Sequence, residues 1–189
     1  MFIHTKNLIY LVLFSSIFLF FTIGYWKSDA RYYKQLLVLN KLETPSDIFS
    51  FLSKNYEHDK CIIVHTNAVP RHLLENHKRF WCDEGSTVLA TLCYYAGFKT
   101  RLVRMINIKN IDNHTFLQIN ENGIWNNYDF SFQCINLPVD SVAKIAKIQL
   151  KDLRHYNYPR VYNKIINANY FLKQSALFLR GIKENDFVK

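Results

Sequence analysis

Glycine and proline are both scarce in this sequence, with 5 Gly and 4 Pro in 189 residues. That scarcity excludes collagen-like, linker-rich and low-complexity chains. Four cysteines are too few for a disulfide scaffold at this length. The histidines His65, His72 and His77 do not fall at the spacing of a zinc site. There is no internal repeat and no Gly/Ser linker. What the chain has in quantity is apolar and aromatic surface, 49% hydrophobic and 16% aromatic residues. One domain with a real core fits that length and composition.

Acidic residues are also in deficit, 15 against 24 Lys plus Arg, for a net charge of +9. The excess is unevenly spread: +2 over residues 1–60, +1 over 61–130 and +6 over 131–189. In the last third the cations are interspersed with apolar residues, as on solvated helix faces or a surface drawn to an anionic lipid or polymer. No basic stripe or recognisable nucleic-acid module is present, so no nucleic-acid partner is expected.

From Leu8 to Trp26 no residue is charged, and the run has the length a helix needs to cross a hydrocarbon core. Tyr10, Tyr25 and Trp26 stand where amphipathic rings settle at membrane interfaces. Residues 1–27 are therefore expected to form a single-pass transmembrane anchor. The run exceeds the usual h-region of a signal peptide, although Ser28-Asp29-Ala30 has the small residues of a cleavage site. The flanking cations favour a cytoplasmic domain, whereas a short N-terminal anchor more often exports its domain, which leaves the side of the membrane open.

Residues 28–60 read as a helical stalk or packing segment, with Thr44 and Pro45 as N-cap and first residue of a helix. Pro70 opens another. Val88, Leu89, Leu92, Cys93 and Ala96 recur at helical spacing, Gly97 follows at the stop position, and Cys82 lies at the start of that helix. Phe98–Ile106, Thr115–Ile119 and Ile124–Phe130 read as strands, the last two joined by the hairpin signal Asn122-Gly123. Helical spacing returns over 140–155 and 160–182, so residues 139–189 are expected to be basic helices packed on a core spanning 61–138.

The chemistry gathers in that core. A cysteine at a helix N-terminus meets the positive end of the dipole and unpaired N–H groups, which favour thiolate. An imidazole can take its proton, and a carboxylate behind the ring fixes the tautomer. Here Cys82 opens a helix, His114 lies on the first hairpin arm and Asp129 on the second. A two-residue turn makes His114 the diagonal neighbour of Asp129, and a four-residue loop makes them direct partners. A three-residue loop puts Asp129 on the other face. Of the other thiols, Cys93 falls in the apolar stripe of its helix, and Cys61 and Cys134 have apolar surroundings.

Phe80-Trp81-Cys82-Asp83-Glu84-Gly85-Ser86, Tyr95-Ala96-Gly97-Phe98, Arg101-Leu102-Val103, His114-Thr115-Phe116 and Trp125-Asn126-Asn127-Tyr128-Asp129 together resemble the transglutaminase-like superfamily. The resemblance covers roughly residues 61–135. It implies an α+β, papain-like core with a nucleophile-bearing helix packed on an antiparallel sheet, and a triad of Cys82 as nucleophile, His114 as base and acid, and Asp129 as orienting carboxylate. It further implies a cysteine enzyme, similar to bacterial members, that acts on peptide or protein amides by thiol acyl transfer without a cofactor or metal, hydrolysis being favoured over crosslinking to an amine; the anchor, expected from the run Leu8–Trp26, lies outside the resemblance. The alternative is an inactive module that binds a peptide or anionic polymer at the membrane. Phe80 stands where the family usually has Gly, which predicts a more crowded approach to the thiol. Phe130 replaces a small residue or Pro, and Gln118 a frequent Glu. Asn113-His114-Thr115 also matches a glycosylation sequon that a glycan would turn into an obstruction, which suits a bacterial chain better than a secreted eukaryotic one.

Overall fold

The computed structural model describes residues 28–59 and 69–158, together with positions 10, 12, 13, 15 and 16. Those five early positions are helical and exposed. The rest of the expected anchor, the apolar run at Cys61–Val64 and the expected helix over 160–182 lie outside the described residues. Among the described residues no helix is long and apolar enough to cross a membrane.

The fold is α+β. Helix α1, whose described part covers 28–39, is followed by α2 (Pro45–Asn55), β1 (Glu57–His58), α3 (Pro70–Asn76), β2 (Arg79–Phe80) and α4 (Cys82–Tyr95). Strands β3 (Lys99–Asn107), β4 (Asp112–Glu121), β5 (Ile124–Asp129) and β6 (Cys134–Ile135) come next, then α5 (Val139–Ile145) and β7 (Leu150–Tyr158). Five strands make one antiparallel sheet in the order β6-β5-β4-β3-β7, and β1 and β2 pair in parallel beside it.

Local chemistry sets the helix ends. Thr44 caps α2 reciprocally: the Asp47 N–H donates to Thr44 Oγ1 at 3.1 Å, and the Thr44 N–H donates to Asp47 Oδ2 at 2.9 Å. Asp47 is held below the usual carboxylate range first by the Thr44 hydroxyl, which donates to its Oδ2 at 2.7 Å, and then by the Thr44 N–H. Helix α4 ends where Gly97 takes φ +96°, a left-handed turn that a side chain would strain. The Phe98 and Gly97 N–H groups then donate to the Cys93 and Tyr94 carbonyls, which closes a Schellman motif.

The sheet separates two apolar clusters. On one face Leu102, Leu117, Ile119 and Tyr128 pack beneath α4 with Leu89, Leu92 and Cys93, and α1, α2 and α3 complete this larger core through Tyr33, Leu52 and Leu73. Helix α1 is thus a packing element, its Tyr33 ring stacked on Tyr95 at 5.0 Å. On the other face Val103, Met105 and Phe116 meet Val142 and Ala143 of α5.

The hairpin takes the two-residue turn, with Asn122 at φ 54° and Gly123 at φ 90°, and its register pairs Glu121 with Ile124 and Leu117 with Tyr128. One step further Asp129 comes level with Phe116, so His114 is its diagonal neighbour on the same face.

The helix expected over 140–155 is corrected. Only Val139–Ile145 is helical, and Leu150–Tyr158 is an edge strand paired with β3. Its half-buried residues Leu150, Leu153 and Tyr156 recur every three positions. That spacing imitates a helix stripe, and pairing along the open edge of β3 overrides it.

Candidate active site

Three features place the thiol. Trp81 precedes α4 in extended conformation, and its N–H donates to Glu84 Oε2 at 3.0 Å, which closes the helix start around Cys82. Ser86, one turn on, donates its hydroxyl to the Thr115 carbonyl at 3.0 Å, which holds the first turn of α4 against the strand that carries His114. Asp83 turns aside to Arg104 on β3, with Oδ2 3.0 Å from Nη2. Cys82 itself is half-buried and free.

His114 lies beyond the last pair of β4 with β5, where the sheet is narrower and the α4 terminus approaches. Its ring rests against Phe132 at 5.0 Å between centroids and near Phe116 at 6.5 Å. Nε2–H donates to Asp129 Oδ2 at 2.7 Å. That leaves Nδ1 open on the side away from the carboxylate, and the Cys82 side chain lies near enough to the ring to raise its pKa. Asp129 is 1% exposed, and its other oxygen accepts the Ser131 N–H at 3.0 Å and the Phe132 N–H at 3.2 Å. The carboxylate is therefore fixed from both sides.

Burial disfavours the charged His114 ring, but the Asp129 and Cys82 hydrogen bonds and charges outweigh it and raise its pKa to about 9. The imidazolium is thus the prevailing form at neutral pH. The other described thiols differ in kind. Cys93 is fully buried, and burial pushes it far above the usual thiol range. Cys134 is half-buried opposite Asp129 and is also raised, first by burial and then by that carboxylate.

Two residues that depart from the transglutaminase-like pattern, Phe80 and Phe130, meet one another. Phe80 is fully buried, stacked on Tyr56 at 4.7 Å and 5.9 Å from the Phe130 ring. It turns into the core, so the crowding expected at the thiol does not arise from its ring. Phe130 in turn lies directly on Gly85: a Cβ there would sit 2.8 Å from Phe130 Cγ and closer still to Cδ1. Gln118 accepts from Arg101 Nε at 2.7 Å and donates to Asn127 Oδ1 at 2.7 Å, in a polar ladder across β3, β4 and β5. The Arg101 guanidinium lies 4.2 Å over the Trp125 ring.

The structure thus brings Cys82, His114 and Asp129 together. It also adds two features that no sequence spacing signalled: the backbone clamp of Ser131 and Phe132 on Asp129, and His58, whose ring lies near enough to feel the charges of both His114 and Asp129. Among the described residues no group of three or more His, Cys, Asp or Glu side chains is placed to hold a metal ion. No protein-family model matches the chain, and a search of curated proteins found no match.

Proposed function

We propose that this chain is a membrane-anchored cysteine enzyme of transglutaminase-like type that acts on peptide or protein amide bonds by thiol acyl transfer. The observation that carries the reading is the buried His114–Asp129 pair at 2.7 Å with the Cys82 side chain near enough to act on the same ring. A helix with the nucleophile at its start, packed on an antiparallel sheet that carries base and carboxylate, supports the same reading.

In this mechanism Cys82 has passed its proton to His114 Nδ1, and Asp129 holds the imidazolium by its Nε2–H. The sulfur attacks the amide carbonyl carbon, and the Cys82 N–H is the natural donor to the developing oxyanion. As the tetrahedral intermediate collapses, the C–N bond breaks, His114 gives its proton to the departing amine, and a thioester remains on Cys82. His114, now neutral, takes a proton from the second nucleophile, which attacks the thioester, and the released thiolate restores the ion pair. Water gives a carboxylic acid, and hydrolysis is favoured by likeness to bacterial members of the superfamily. The uncharged run from Leu8 to Trp26 supports a position at a membrane.

Alkylation by iodoacetamide at pH 6 to 7 tests the proposal. Cys82 is expected to react much faster than a free thiol, and His114→Ala to abolish the advantage. Reaction at the rate of an ordinary thiol, unchanged by His114→Ala, would leave a tethered binding module as the better account.

A further inference from the structure

Beside Cys82 lies a cationic patch that the mechanism leaves unused. Arg104 Nη2–H donates to Asp83, the residue after the nucleophile, at 3.0 Å to Oδ2 and 3.4 Å to Oδ1. On its strand Arg104 stands opposite Thr115, the residue after His114, and the Thr115 carbonyl accepts the Ser86 hydroxyl at 3.0 Å. Arg104 is thus bonded to the neighbour of the nucleophile and paired with the neighbour of the base.

Along its other edge β3 pairs Arg104 with Arg154 of β7. Residues directly opposite in an antiparallel pair leave the sheet on the same face, and like charges in that position destabilise it. Asp83 answers only the first of the two. Arg154 is exposed and makes no ion pair or side-chain hydrogen bond among the described residues. Asp152, two positions away on that face, turns its carboxylate back on its own strand, where Oδ1 accepts the Leu153 N–H at 2.7 Å. On the other side the Tyr156 ring, 5.6 Å from the Arg104 guanidinium carbon, closes the patch towards the core. A planar fork of donors with its charge unmatched suits a carboxylate, and Arg154 belongs to the basic last third of the sequence.

We propose that Arg104 and Arg154 form a subsite for a peptide carboxylate, of an acidic side chain or of a chain terminus, next to the amide that Cys82 attacks, so that the substrates are acidic peptides. The inference rests on the acyl-transfer reading above. Arg154 supplies the donors, Arg104 adds a second positive charge beside it, and Asp83 fixes the Arg104 side chain in place. The charges of the patch do not change during acyl transfer, so the subsite selects the substrate by binding and leaves the chemical steps to Cys82 and His114.

Three alkylating probes test the subsite on the detergent-solubilised full chain, with reaction at Cys82 read by mass spectrometry of the peptide that contains it. N-iodoacetylglutamate α-amide carries a side-chain carboxylate, N-iodoacetylglutamine free acid a terminal one, and N-iodoacetylglutamine α-amide none. At least one acidic probe is expected to react about tenfold faster than the neutral one, the return of one exposed hydrogen bond between charged groups, and the faster of the two identifies the carboxylate. Arg154→Gln is expected to bring that ratio near one, and Arg154→Lys to keep most of it. Fast but equal reaction of all three probes, or an acidic preference that Arg154→Gln leaves intact, overturns the subsite. Reaction of all three no faster than with a free thiol overturns the acyl-transfer reading itself.

Discussion

The two faces of the central sheet are made by the same strands and behave differently. Beneath α4, Leu102, Leu117, Ile119 and Tyr128 are buried in an apolar layer. The opposite face begins with Val103, Met105 and Phe116 under α5, then turns polar: Arg101, Gln118 and Asn127 bond across three strands, and His114 and Asp129 lie at the end where β5 stops. Strand alternation lets one face hold the fold while the other presents chemistry. The thiol alone comes from the helix side, and it reaches His114 where β4 extends past its β5 partner.

If the faces divide in this way, substitutions on the chemical face should remove activity and leave the fold. His114→Ala is expected to lower turnover by ~10³, and Asp129→Asn by a smaller factor through loss of the ring's orientation, with the thermal unfolding profile changed little once the pH is above 9, where the His114 proton no longer adds stability. Steady-state kinetics and calorimetry on the same preparations check it, and equal losses in both would dissolve the distinction. On the apolar face Leu117→Ala should do the reverse, destabilising by about 3 kcal/mol with residual activity tracking the folded fraction.

A pH series sharpens the comparison. His114 is raised to about 9 in the folded chain from an ordinary 6.5, so its bound proton stabilises the fold fully below pH 6.5 and less as pH rises through 9. The wild-type Tm is expected to fall by ~5 °C across that interval, and the fall attributable to this group should vanish in His114→Ala. The smallest effect belongs to the polar ladder. Gln118→Ala strands Arg101 Nε and Asn127 Oδ1 at the edge of solvent and should cost about 1 kcal/mol, measured by denaturant titration.

How far the sequence could be read follows the range of the forces involved. The caps at Thr44 and Gly97 and the turn at Asn122-Gly123 are set by neighbouring residues, and from them came the start of α2, the end of α4 and the hairpin; its register stayed open among three loop lengths, and the two-residue turn is the one that makes His114 the diagonal neighbour of Asp129. Strand β7 was misread because Leu150, Leu153 and Tyr156 carry a helix-like spacing, and only the unpaired edge of β3 decides otherwise. The Ser131 and Phe132 amides on Asp129 belong to a loop without an apolar rhythm. His58 comes beside Phe80 through a two-residue parallel pairing, a contact 22 positions apart that periodicity does not record.

The interlock of Phe80, Gly85 and Phe130 has a consequence for how this sequence can change. Phe130 occupies the space a side chain at 85 would need, and it braces Phe80 next to the nucleophile helix. Acceptable residues at the three positions are therefore conditional on one another. Gly85→Ala alone should be selected against, yet become tolerable once Phe130 is small, a sign reversal that a double-mutant cycle would read as strong coupling. Evolution across this patch would proceed by paired steps, with Asp129, one residue from the pivot, setting how much displacement each intermediate can bear.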